Sequence, residues 1–476
     1  MESILKLPWV VSMYDLSFLL PEIILVILSF GLLINSMVDQ KDKRITNKIL
    51  LIIGSILSML AIIYRVPEGI FMNGTFENNS LTNNIKLLSI LGTLFGLLFV
   101  SNSKTDQFKE YFNEYCFLLI LSLVGGMLVV SSREFFTMII AFELLSIPIY
   151  LVSAMGPNSS KSIEAATKLF FFGTLSTVFL IFSSVLFYSL SGSTLFVDIN
   201  WVSKDYLLVL ATILLLIPIS FKCALYPFHF WVPDTYESAP MNILPFLSTI
   251  PKISIIAFIF FFFNELSSSF LNNKILNIIV VVSLFSMLFG SILSIKQNNL
   301  FRLLAYSGIP HAGIMLICSI IPSSISSSFL ILYFTFYIFS NIGLYIALNS
   351  LPKITDIFKV EDLKGLYKDS PFLALSITCF LLSLAGAPLF VGFWGKFNIA
   401  IIAYKTYGLL IPITILISAG ISFYYYLRII SSIFSSKSMD SKSAFTVSNI
   451  NKILISLCVF VAIFLGINPN FLKILM

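Results

Sequence analysis

Apolar runs of about 18 or more residues recur along the whole chain, separated by short polar segments. A helix of that length crosses a hydrocarbon core roughly 30 Å thick. The runs are continuous, whereas barrel strands would alternate in polarity over segments of about ten residues, so the pattern predicts helices. About fourteen spans are expected, centred near residues 26, 56, 94, 123, 144, 178, 217, 253, 285, 312, 338, 386, 418 and 458. The fold class is therefore an all-α polytopic membrane protein.

Composition agrees: 58% of the 476 residues are hydrophobic and 11% are charged, with a mean hydropathy of +0.98, which excludes a soluble domain. Basic residues collect in alternate loops. KDKRITNK, KTDQFK, Lys161, KQNNLFR, Lys353 to Lys368 and Arg428 to Lys452 fall on one side. Lys6, Arg65, Lys86, Arg133, Lys204, Lys274, Lys405 and Lys473 fall on the other. The ratio is about two to one, which predicts both termini on the outer side. Sequons at Asn73 and Asn78 then lie in an outer loop. The start lacks the order of a basic region, short apolar core and cleavage site, so no removable signal peptide is expected. Heavy use of Phe, Ile, Asn and Lys suggests an organellar or AT-rich bacterial gene.

Two spans are interrupted alike. YLLVLATILLLIPISFKCALYPFHFW contains Pro218 and Pro227, and the apolar stretch 371–404 surrounds Gly386 and Pro388. A straight helix over 371–404 would reach about 50 Å, so it must tilt steeply or break at AGAP. These are the seventh and twelfth spans, five apart, and an odd-numbered unit repeated once returns inverted. The expected plan is one transmembrane domain over 1–476. Spans 1–3 lie at about 15–103, a first five-helix repeat at 115–264, an inverted second at 275–432, and a final span at 449–468.

Ionisable residues inside these spans are the candidate chemistry. Glu143 lies about ten residues into the fifth span, roughly 15 Å deep at helical rise. A charge there costs between about 3 and more than 10 kcal/mol unless paired or hydrated. Lys222 ends the first half of the broken seventh span, Lys252 lies deep in the eighth, and Lys396 follows the AGAP break. Burial disfavours an ammonium and a nearby carboxylate favours it, so a moving Glu143–Lys222 pair can take up and release a proton. Lys168, near the start of the sixth span, can snorkel instead. His229 and His311 either bridge the lysines as relays or are satisfied core residues. Asp234 and Glu237 either cap a loop or rim a proton entrance. Cys116, Cys223, Cys318, Cys379 and Cys458 are scattered and read as buried thiols. With two histidines, no metal or redox centre is expected in this chain.

The motifs FELLSIPIYLVSA at Glu143, EAATKLFFFGTLS at Lys168 and FKCALYPFHFWVPDTYESAPMNILPFLSTIPK from Phe221 to Lys252 follow one another in order. RLLAYSGIPHAG from Arg302, FLLSLAGAPLFVGFWGKF at Lys396 and SFYYYLRII at Arg428 complete the series. On these the chain, from Pro21 and Glu22 onward, resembles subunit 2 of respiratory complex I, the proton-pumping NADH:ubiquinone oxidoreductase, known in bacteria as subunit N. The resemblance implies a membrane-arm subunit that translocates protons through Glu143, Lys222, Lys252 and Lys396. It further implies other membrane-arm subunits and lipid as partners, no nucleic acid, and NADH, FMN, iron–sulfur clusters and ubiquinone in other subunits. The mitochondrial inner membrane is the expected location, with a bacterial plasma membrane as the alternative. Phe301 stands where the family has lysine, which puts loop anchoring there in doubt. Ser238 and Met241 replace Gly and Thr. The competing functions are a freestanding cation/proton antiporter subunit and a structural scaffold.

Overall fold

A computed structural model describes residues 13–37, 44–100, 111–156, 159–199, 206–264, 273–351, 358–436, 447–469 and 471. Among them, twelve helices are long and apolar enough to cross a membrane, and shorter apolar helices cover Leu20–Asn35 and Pro371–Ala385. These account for the fourteen expected spans. Of the charged loops, 41–43, 104–109 and 437–446 lie outside the described residues, as do Lys6, Lys204, Lys353 and Lys473.

The first six spans are α1 (Leu20–Met37), α2 (Arg44–Tyr64), α3 (Ser80–Val100), α4 (Phe112–Ser131), α5 (Phe135–Ala154) and α6 (Ser159–Ser191). A small hairpin of β1 (Gly69–Phe71) and β2 (Phe76–Asn78) precedes α3. The seventh span is α7 (Tyr206–Cys223) followed by α8 (Trp231–Ser238). Then come α9 (Leu244–Asn264), α10 (Asn273–Ile295), α11 (Leu300–Ser319) and α12 (Ser323–Asn349). The twelfth span is α13 (Pro371–Ala385) and α14 (Val391–Tyr407), followed by α15 (Leu410–Ile433) and α16 (Asn449–Ile467). Burial orders them: α9 and α12 are buried over nearly their whole length, while α2, α6, α10, α15 and α16 turn an apolar face outward. The 33 residues of α6 reach about 50 Å, more than a bilayer core requires.

Both interruptions are real breaks. After α7, Ala224 takes a left-handed backbone (φ 61°) and the Tyr226–Pro227 peptide is cis. The Ser286 hydroxyl accepts from the Tyr226 amide at 3.0 Å, and Trp231 Nε1 donates to the Phe221 carbonyl at 2.8 Å. After α13, Gly386 (φ 86°) and Leu389 (φ 79°) are left-handed. Non-glycine residues rarely adopt that conformation and mark sites that the surrounding structure over-determines. Trp394 Nε1 donates to the Gly466 carbonyl at 2.8 Å and ties this second break to α16.

Two residues expected in outer loops lie elsewhere. Lys86 is in α3, 1% exposed, and Arg133 is buried between α4 and α5. Each has a carboxylate: Lys86 Nζ lies 2.7 Å from Glu22 Oε1, and Arg133 pairs with Glu77. Burial draws the Arg133 guanidinium down to about 10, with Glu77 opposing, so it stays charged at neutral pH. Removing both from the loop tally sharpens the asymmetry. Asn78 is buried, donating to the Phe18 carbonyl at 3.0 Å and accepting from Lys86 at 2.8 Å, so it is no glycan acceptor.

Candidate proton-path site

Lys222 sits in the last turn of α7, where the break leaves it beside α5. Its Nζ donates to the Phe142 carbonyl at 3.1 Å, lies 4.8 Å from the centre of the Phe142 ring, and stands 3.6 Å from Glu143 Oε1. Thr177 Oγ1 of α6 donates to that same Oε1 at 2.6 Å. A charge-assisted N–H···O bond is normally about 2.7–2.9 Å. The ion pair is therefore close but not closed, and the carboxylate oxygen that faces Lys222 is also held by a neutral hydroxyl.

Next to Lys222, the Cys223 thiol approaches the Lys252 carbonyl at 4.0 Å, which joins the α7 break to α9. Lys252 is 2% exposed and Nζ donates to the Gly308 carbonyl of α11 at 3.3 Å. A β-carbon on Gly308 would stand 2.8 Å from that Nζ and 3.4 Å from the Tyr337 hydroxyl. The absence of a side chain at Gly308 lets the amine approach this closely; a methyl there would displace it.

His311, on α11, is buried, and Nδ1 shares a 2.8 Å hydrogen bond with the Tyr333 hydroxyl. It lies within electrostatic reach of both Lys396 and Lys252. Lys396, in α14, folds back across the second break, and Nζ donates to the carbonyls of Leu384 and Ala385 at 2.8 and 2.9 Å. The last carbonyls of a helix lack intrahelical partners and carry its negative dipole end, so α13 supplies a neutral seat for a cation. Pairing with a carboxylate, as at Lys222, is thus one of two ways a lysine is held at a break.

Two predicted relay residues stand outside this line. Lys168 is 46% exposed and pairs with Glu164 at 2.8 Å and Asp234 at 3.5 Å. His229 is half-buried, its ring stacked on Tyr226 and edge-on to Tyr306. Asp234 and Glu237 both take Arg302 Nη1, at 3.0 and 2.8 Å, clamping α8 to the start of α11. Partly exposed pairs contribute about 1 kcal/mol or less each. Arg302→Ala is accordingly expected to lower the thermal inactivation midpoint slightly and leave proton movement per electron unchanged, read on purified complex. Phe301, where lysine was expected, anchors the neighbouring segment by packing on Phe358 with ring centres 5.9 Å apart.

Sequence reasoning missed the buried Glu22–Lys86 pair because Lys86 was counted as a loop residue. Its depth was readable from the apolar run that follows Asn84 and from a glutamate just inside the first span.

Interrupted spans with charges seated at their breaks, inside a polytopic helical bundle, define a transporter-type membrane subunit. The chain belongs to the NADH:quinone oxidoreductase/Mrp antiporter transmembrane family, whose sequence profile matches residues 132–422. It is 32% identical over 460 residues to NADH-quinone oxidoreductase subunit N 1 of Thermodesulfovibrio yellowstonii, covering 95% of this chain and 97% of that one. It is 33% identical to subunit N of Pelagibacter ubique, covering 90% and 92%. A chain of respiratory complex I from Thermus thermophilus superposes with a TM-score of 0.81 at 25% identity, covering 95% of this chain and 98% of that chain. These relatives are bacterial, multi-pass membrane proteins of a multi-subunit complex.

Proposed function

We propose that this chain is the antiporter-like subunit N of a bacterial NADH-quinone oxidoreductase, seated in the plasma membrane rather than the mitochondrial inner membrane. In this reading it moves protons when quinone reduction elsewhere in the complex drives it. NADH, FMN, iron–sulfur clusters and ubiquinone belong to other subunits, and neighbouring membrane-arm subunits and lipid cover the outward apolar faces. The observation that carries the reading is the series of buried cationic side chains at or beside helix breaks: Lys222, Lys252 and Lys396, with His311 between reach of the last two.

The geometry supports a mechanism. When Glu143 closes on Lys222, the ammonium is stabilised and the proton is held. When Glu143 withdraws toward Thr177, Lys222 keeps only the Phe142 carbonyl and ring, and an ammonium so placed sheds its proton toward the amine of Lys252. His311 and Tyr333 offer an exchangeable hydrogen bond on the way to Lys396, whose seat on α13 carbonyls accepts either an ammonium or an amine. The two halves are read as inverted repeats on the matching breaks after Lys222 and before Lys396.

The test is Glu143→Gln in the assembled complex. Glutamine keeps the size and the Thr177 contact but removes the charge, so protons moved per NADH oxidised should fall, with Glu143→Asp retaining part of the activity. An unchanged ratio in Glu143→Gln removes this mechanism. Sodium-dependent exchange by the purified chain without NADH would assign it to the freestanding antiporter class instead.

A further inference from the structure

Among the described residues, the lysine series leaves the deeply buried Glu22–Lys86 pair unused. Glu22, in the first turn of α1, is 3% exposed and Lys86 of α3 is 1% exposed. Lys86 Nζ lies 2.7 Å from Glu22 Oε1 and donates to Asn78 Oδ1 at 2.8 Å, while Ser131 donates to that same Oδ1 at 3.1 Å. The second carboxylate oxygen, Glu22 Oε2, is buried too and has no hydrogen-bond partner among the described residues. A buried ion pair stabilises a fold when the remaining lone pairs are satisfied; otherwise desolvation outweighs the attraction. Glu22 is poorly built as a structural pair and well built as a proton acceptor with a free oxygen.

The pair also has a polar continuation inward. Thr82, Lys86, Ser89 and Thr93 of α3 are all buried and recur at helical spacing, forming one polar face. Gly92, about a quarter-turn round the helix from that face, makes the apolar contact of α3 with Ile250 of α9 and Ile338 and Ile342 of α12. The hydroxyl face of α3 thus continues from the ion pair along the buried side of the helix.

We propose that Glu22 and Lys86 form a further protonatable station of the translocation path, exchanging protons with the outer face, with the polar face of α3 continuing the route inward. The inference rests on the translocation reading above. In the step, the Lys86 ammonium gives a proton from Nζ to Glu22 Oε1, leaving an amine and a carboxylic acid. The acid loses that proton to water at the outer face and returns to carboxylate. A proton arriving along α3 then restores the ammonium.

Two variants separate this role from packing. In Glu22→Gln/Lys86→Met neither member is left as a lone buried charge, so a purely structural pair is relieved and proton movement is normal. In Lys86→Arg the cation persists, but a guanidinium does not give up its proton. Purified complex carrying each variant is reconstituted in vesicles beside Lys252→Met, and protons moved per quinone reduced are counted. The expected result is assembled complex with the ratio lowered to the Lys252→Met level in both. A parental ratio in either, or failure of both to assemble, assigns the pair to packing and overturns the proposal. If Lys252→Met itself keeps the parental ratio, the translocation reading fails instead.

Discussion

Lys252→Met is expected to assemble normally and to slow proton transfer through this chain by about two orders of magnitude, the size associated with losing a positioned acid–base group. The side chain is enclosed by α9, α11 and α12, so a methionine of similar length fills its volume without bringing in a charge. The Gly308 carbonyl loses one donor but stays within its helix. Lys252→Arg is the sharper companion. It keeps the charge, yet the wall at Gly308 leaves little room and the guanidinium holds its proton at any working pH. Both variants should show slow build-up of membrane potential on NADH addition in vesicles, normalised to assembled complex. If Lys252→Arg behaves as the parent, positive charge at this position matters and proton exchange does not.

Gly392→Ala is expected to remove the subunit from the complex altogether. The added β-carbon would stand 1.8 Å from the Ser383 carbonyl oxygen, a backbone atom of α13 that cannot swing aside. The two halves of the twelfth span must then separate, and the Lys396 amine loses its seat on Leu384 and Ala385. Overpacking of this kind costs about 3 kcal/mol or more when backbone must move. The comparison is Gly420→Ala in α15, where the new methyl meets nothing within 4 Å. Native gels of detergent-solubilised membranes should show loss of assembled complex for the first and parental amounts for the second.

Most helices were legible because their spans are uninterrupted apolar runs, and Pro227 and Gly386–Pro388 pointed to the two breaks; proline alone did not locate them, since Pro148, Pro218, Pro251 and Pro310 sit inside continuous helices. Lys222, Lys252 and Lys396 stood out because charge inside such runs is costly, and exposures of only 7%, 2% and 7% agree with that reasoning. What each lysine touches was not legible. Lys222 faces a carboxylate from α5, whereas Lys396 takes carbonyls of its own span, and that difference depends on how the chain turns at Leu389 and Ala224. The histidines were ambiguous for the same reason. His311 and His229 both follow prolines in aromatic surroundings, yet packing brings only His311 within reach of Lys252 and Lys396. Lys86 was placed in a loop, and its partner was not legible because Glu22 lies on another helix and nothing local in the sequence links them.

The most direct measurement is the number of protons moved per electron pair by assembled complex in sealed vesicles, compared among the parent, Lys252→Met and Lys396→Met. A conduit through buried amines predicts a lower number in each variant while electron transfer from NADH to quinone still runs. The parental number in both, at equal assembly, would contradict it.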